Sequence, residues 1–243
     1  GRSAEIAALR SLWAQTASDG RRVALLAGEA GVGKTRLIRE FAHEAAADGA
    51  TVLYGVCDPE LAVPYQPVVE GLDHLLRYTE ADTLAADLGA TGGELVRLFP
   101  DLAARGLAVP AAPSADPETA QHRLHTAVSS LLVTMSRHRR LVLVLDDLHW
   151  ADRFTTLLVR HLVRATAEAR LLLVGTYRDT AVDLASTVLD TLADLRRADG
   201  VTRLRLTGLQ QAELVELVTA LTGGRVDDVL ALTDILGEQS GGN

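Results

Sequence analysis

Residues 28–35 read Gly-Glu-Ala-Gly-Val-Gly-Lys-Thr, which satisfies the spacing G-x-x-x-x-G-K-[ST] without exception. Each position has a physical reason. Glycines let the backbone curl until its N–H groups point inward, where they can face phosphate oxygens. A helix beginning at the end of the loop adds the positive end of its dipole at the same point. Lys34 brings a mobile charge suited to the β- and γ-phosphates, and the Thr35 hydroxyl is a ligand for Mg²⁺. The expected nucleotide contacts are Gly28, Glu29, Ala30, Gly31, Val32, Gly33, Lys34, Thr35 and Arg36. Of the 24 basic residues, Lys34 alone is lysine. A chain that uses Arg everywhere else has kept its one ammonium here. The competing reading is a glycine-rich turn that happens to end in Lys-Thr. It does not explain the apolar strand before the loop or the helical pattern after it.

A second constellation lies far along the chain, where an apolar run, 141–145, ends in Asp146-Asp147. Beside a phosphate loop, Asp146 is expected to hold Mg²⁺ through water, and Asp147 to polarise the attacking water. Alone, such a strand could equally end in a solvated acidic turn; the neighbouring loop decides against that.

The elements that must position these groups follow from periodicity. Residues 3–16 pattern as an amphipathic helix with Ile6, Leu9, Leu12 and Trp13 on one face. A strand is expected at 23–27, a helix at 33–47 and a β-branched strand at 51–57. Residues 58–118 look like an insertion of short helices, one of them starting at Pro67. Helices at 119–137, 153–166 and 187–198 then alternate with strands at 141–146, 171–176 and 201–206. Such alternation implies right-handed βαβ units and a parallel sheet covered on both faces. The runs 23–27, 141–145 and 171–174 lack polar alternation and belong in its centre. Strand 201–206 alternates, with Arg203 and Arg205 on one face, and suits an edge. The tail from Leu209 carries two helical patterns and no strand.

The 243 residues are 48% hydrophobic, 23% charged and 4% aromatic. That excludes a disordered, collagenous or coiled-coil chain, and the apolar runs are too short to span a bilayer. The single cysteine, Cys57, excludes an internal disulfide and suits a reducing, cytoplasmic setting. The chain starts at Gly1 without Met or signal peptide, as a piece cut from a longer protein would. Net charge is −8, and residues 58–118 hold 11 acids against 3 bases, which leaves the remainder neutral. A nucleic-acid grip through that segment would need the opposite sign. His122 and His125 share a helix face and, without a third ligand, pattern as surface residues. His149 and Trp150 pattern as packing residues, Asp152 as a helix cap, Cys57 as an inert thiol, and 137–140 as a basic helix end.

Taken together, the loop 28–35, the segment ending Asp146-Asp147-Leu148-His149-Trp150-Ala151-Asp152, and Gly175-Thr176-Tyr177-Arg178 resemble the P-loop ATPase module of the STAND class. Those are signal-transduction ATPases with numerous domains, among them large LuxR-type bacterial transcription regulators. The resemblance runs along nearly the whole chain. It implies an α/β P-loop NTPase three-layer sandwich with strand order 5-1-4-3-2. The ATPase core would span 1–207, and 208–243 would start a helical lid. It implies ATP/ADP and Mg²⁺ as cofactors, Arg178 as a sensor of the γ-phosphate and Arg2 near the adenine. Arg178 could instead pair with Asp179 or solvent, and Gly1-Arg2 could be a frayed end. Gly241-Gly242-Asn243 is similar to the family's Gly-Asn-Pro element, although the chain stops before a Pro.

The expected function is a regulatory ATP/ADP switch with slow hydrolysis. Asp147 stands where faster relatives carry the longer Glu. Partners would be nucleotide, other domains of the parent chain and a second copy of the chain, with no nucleic acid or membrane. A DNA-loading ATPase of the origin-recognition type is the main alternative, but it wants a basic groove. A small-molecule kinase would need an Arg-rich lid rather than an acidic insertion.

Overall fold

Parallel strands need crossover connections long enough to hold a helix, and such crossovers are right-handed, which suits strands that alternate with helices. The computed structural model describes residues 2–61, 63–105, 112, 114–179, 186–195, 197–222 and 233. The chain runs α1 (Ser3–Gln15), β1 (Arg22–Ala27), α2 (Lys34–Ala47), β2 (Thr51–Val56), α3 (Gln66–Tyr78), α4 (Ala81–Leu88), α5 (Gly92–Leu95) and α6 (Asp101–Ala104). It continues through α7 (Pro117–His138), β3 (Leu141–Asp146), α8 (Arg153–Ala165), β4 (Leu171–Tyr177), α9 (Ser186–Leu195), β5 (Val201–Arg205) and α10 (Gln211–Thr222).

The five strands form one parallel sheet in the order β2-β3-β4-β1-β5, the P-loop NTPase arrangement 5-1-4-3-2. The three uniformly apolar strands occupy the centre. In β3 and β4 every residue is buried, whereas β5, at one edge, exposes Arg203 and Arg205. Even so, successive side chains go to opposite faces. Ala24, Leu26, Val142, Val144, Leu172 and Val174 join α1 and α2 on one side. Val23, Leu25, Leu143, Leu145, Leu171 and Leu173 join α3, α7, α8 and α9 on the other. Alternation therefore sends Asp146, Thr176 and Tyr54 to the α2 face, and that choice builds the site.

Several local expectations are revised. The long helix starts at Pro117, two residues earlier than its apolar period suggests. The Asp116 side chain caps it by accepting the Thr119 N–H at 3.0 Å. His125 is not a surface residue. It is buried between α7 and α8, and its Nε2 lies 3.1 Å from the Tyr65 hydroxyl. Burial, then His161 and His122, pull its pKa down to about 4. Arg140 does not serve the helix end but stacks over Trp13 at 4.0 Å and pairs with Asp48 at 2.6 Å. Apart from Thr233, the second helical pattern of the tail, with Gly241-Gly242-Asn243, lies outside the described residues, as does Gly1. No described helix is long and apolar enough to cross a membrane.

Candidate functional site

Parallel pairing aligns the carboxyl ends of the central strands: Ala27 faces Tyr177 and Leu145 faces Gly175. The residues that follow each strand therefore meet at one edge of the sheet, the usual place for a ligand in such folds. There the loop 28–33 turns from β1 into α2. Gly31 and Gly33 have φ of 80° and 92°, a backbone region that L side chains rarely adopt, and Gly33 caps α2. The space where their Cβ atoms would sit is open. Val32 is buried against α1 and α2 and pins the loop, while Glu29, Ala30 and Gly31 face solvent. Such a cradle, entering the first turn of a 14-residue helix, fits an anion of phosphate chemistry.

Lys34 is not the exposed loop cation that its motif suggests. It is the first residue of α2 and only 7% exposed, with Nζ donating to the carbonyls of Gly28 at 3.0 Å and Glu29 at 2.8 Å. Burial lowers its pKa; Asp147 and Asp146 oppose that, and Arg178 adds to it. Arg36 lies exposed on the same first turn.

The Thr35 hydroxyl donates to Asp146 Oδ2 at 2.9 Å, joining the phosphate loop to the end of β3. Tyr54 Oη donates to the same oxygen at 2.7 Å, and Thr176 Oγ1 donates to Oδ1. Thr176 also accepts the backbone N–H of Asp147 at 2.7 Å. Thr35 and Asp146 form a hard oxygen pair of the kind that suits Mg²⁺ with phosphate oxygens. Asp147 is held in the left-handed region, φ 58° and ψ 44°. Leu148 of the following turn packs over Gly175, where an added Cβ would lie 2.5 Å from Leu148 Cδ1 and force that side chain to shift. Burial and then Asp146 push the Asp147 pKa up, against Lys34 and Arg178.

Around this centre, His149 is buried, with Nδ1 3.8 Å from Asp147 Oδ1. Trp150 is not a packed residue: it is 42% exposed, and the Arg178 guanidinium lies 5.7 Å over its ring. Asp179 does not take Arg178, because Arg203 and Arg205 bind it instead. Arg2 donates to the carbonyls of Val32 at 3.0 Å and Thr207 at 2.6 Å, tying the loop to the chain after β5. Asp152 caps α8 through the N–H groups of Phe154 and Thr155. Cys57 is buried beside several carboxylates, which raises its pKa and keeps it a thiol.

Two contributors escaped the sequence reading. Thr176 carried a visible signal, a hydroxyl near the end of an otherwise apolar strand. Tyr54 carried none, since its place depends on the β2–β3 register.

The family model of the AAA ATPase domain matches residues 1–174. A Rhizobium meliloti (strain 1021) protein described as uncharacterized is 26% identical over an alignment of 191 residues that covers 73% of this chain and 18% of that protein. The chain thus spans about a fifth of that relative's length. Among solved structures, Cdc6p of Pyrobaculum aerophilum superposes with a TM-score of 0.53 at 16% identity, over 92% of this chain and 50% of that one. A STAND protein with a tetratricopeptide repeat sensor from Pyrococcus horikoshii gives 0.48 at 14% identity, over 96% and 27%.

Proposed function

We propose that this chain, which belongs to the AAA ATPase domain family, is an ATP/ADP-dependent switch with slow Mg²⁺-dependent hydrolysis, set within a longer signalling protein of STAND type. The observation that carries the reading is the 2.9 Å bond from Thr35 to Asp146, which brings loop hydroxyl and strand carboxylate together at the mouth of the cradle. Backbone N–H groups of Gly31, Gly33, Lys34 and Thr35 would face the phosphates, and Lys34 would turn from the loop carbonyls to the β- and γ-phosphates. Mg²⁺, when bound by Thr35 and Asp146, would neutralise charge developing on the phosphoryl oxygens.

Asp147 would accept the proton of the attacking water. Its pKa, pushed up by burial and Asp146, moves toward the range useful to a base. A side chain one methylene shorter than Glu reaches less far, which supports slow turnover. Arg178, free of Asp179, is placed over Trp150 on the Asp147 side of the site and suits a sensor of the γ-phosphate. Loss of that phosphate would release Arg178 and shift the residues beyond β5, which Arg2 ties to the loop at Thr207. We assign residues 1–207 to the ATPase core and α10 to the start of the lid. Other domains of the parent chain, and a second copy of this one, would read the change.

The DNA-loading alternative shares this fold, but the acidic segment 58–118 argues against it. Calorimetric titration of ATP and ADP in the presence of Mg²⁺ tests the switch. Tight binding of both, with turnover far slower than nucleotide exchange, is expected; binding of neither contradicts it.

A further inference from the structure

We infer that Tyr54 is a positioning residue for the Asp146 carboxylate, and so sets how well the site holds Mg²⁺; this rests on the proposed role of Asp146. Tyr54 lies outside both the phosphate loop and the acidic strand end. It reaches the site from the edge strand β2, two residues before its carboxyl end, and its hydroxyl donates to Asp146 Oδ2 at 2.7 Å. The ring packs with Val52 against the α1–α2 side of the sheet, so the hydroxyl is aimed by packing rather than by loop geometry.

Counting acceptor positions shows what the phenol does. A carboxylate offers about four lone-pair positions. Thr35 and Tyr54 take both on Oδ2, and Thr176 takes one on Oδ1. Three donors from α2, β2 and β4 therefore fix the plane of the carboxylate and leave a single position open for a metal-bound water. Without the phenol, Oδ2 regains an open position and the group can turn about its Cβ–Cγ bond. Partners of this outer kind typically change metal affinity by ~10–100-fold.

The test is Tyr54→Phe, which keeps the ring and removes only the hydroxyl. Affinity for ATP is measured by calorimetry with Mg²⁺ and again with excess EDTA, for wild type and variant. The expected result is a loss of ~10–100-fold in the Mg²⁺-dependent enhancement, with affinity in EDTA unchanged within about twofold. Tyr54→Leu, which also removes the ring, should show the same Mg²⁺ loss, because the hydroxyl and not the ring is responsible. An unchanged Mg²⁺ enhancement in Tyr54→Phe overturns the inference and leaves the proposed function standing. An equal loss with and without Mg²⁺ overturns it too, since it marks Tyr54 as a packing residue. Wild-type binding that is indifferent to Mg²⁺ overturns both.

Discussion

Replacing Thr176 by Val keeps the side-chain volume and removes the hydroxyl that joins the two aspartates. Thr176 is fully buried on β4, donates to Asp146 Oδ1 and accepts the Asp147 N–H at 2.7 Å. The first bond has a carboxylate acceptor, and such bonds contribute about 1.5–3 kcal/mol net. The second is an ordinary amide bond worth about 0.5–1.5 kcal/mol, and its loss leaves the N–H of a left-handed residue without its acceptor. Together the cost is about 2–4.5 kcal/mol. Urea unfolding followed by far-ultraviolet circular dichroism reads this as a lower midpoint at unchanged slope. Thr176→Ser, which keeps the hydroxyl, should lose less than half as much. A Val variant within about 0.5 kcal/mol of wild type, the spread usual for neutral substitutions, would refute the reasoning. So would a Ser variant as damaged as Val.

The two aspartates should separate. Asp146→Asn should weaken Mg²⁺-dependent ATP binding, whereas Asp147→Asn should leave binding intact and slow hydrolysis; loss of affinity alone in both would remove Asp147 from catalysis. Stability should fall as pH drops from about 6.5 to about 4, because native His125 resists the proton that the unfolded chain accepts. His161, also shifted down by burial, adds in the same direction. The shift of His125 corresponds to about 3 kcal/mol, and a His125→Asn variant that keeps the full slope in acid-unfolding curves would contradict the assignment. The chain should show no salt-sensitive DNA binding at low micromolar concentration in an anisotropy titration with ATP or ADP. Arg140, the end of the tightest basic cluster, is already engaged by Trp13 and Asp48.

The phosphate loop and the division of the sheet into centre and edge were readable because both rest on local signals, whereas the strand order 5-1-4-3-2 followed only from the family resemblance. A fixed spacing defines the loop, and unbroken apolar runs place β1, β3 and β4 inside while the alternation of β5 places it at an edge. What could not be read depends on tertiary register. Tyr54 reaches Asp146 only because β2 pairs with β3 so that Val56 faces Asp146. Lys34 is buried because the loop closes over its ammonium, a property of the fold and not of the motif. His125 patterned as a surface residue for want of a third ligand, and nothing in the sequence of α7 reveals Tyr65 and His161 packed on that face. Thr176 was overlooked beside Arg178, although a hydroxyl in an apolar strand is itself a signal of a buried polar partner.

The central claim, that the cradle at 28–35 holds nucleotide through Lys34, is tested most directly by calorimetric titration of Mg²⁺·ATP into wild type and Lys34→Ala. Circular dichroism on the same samples checks that both are folded. Saturable binding in wild type and its loss in a folded Lys34→Ala variant is the predicted result. Equal affinity in the two proteins would contradict it.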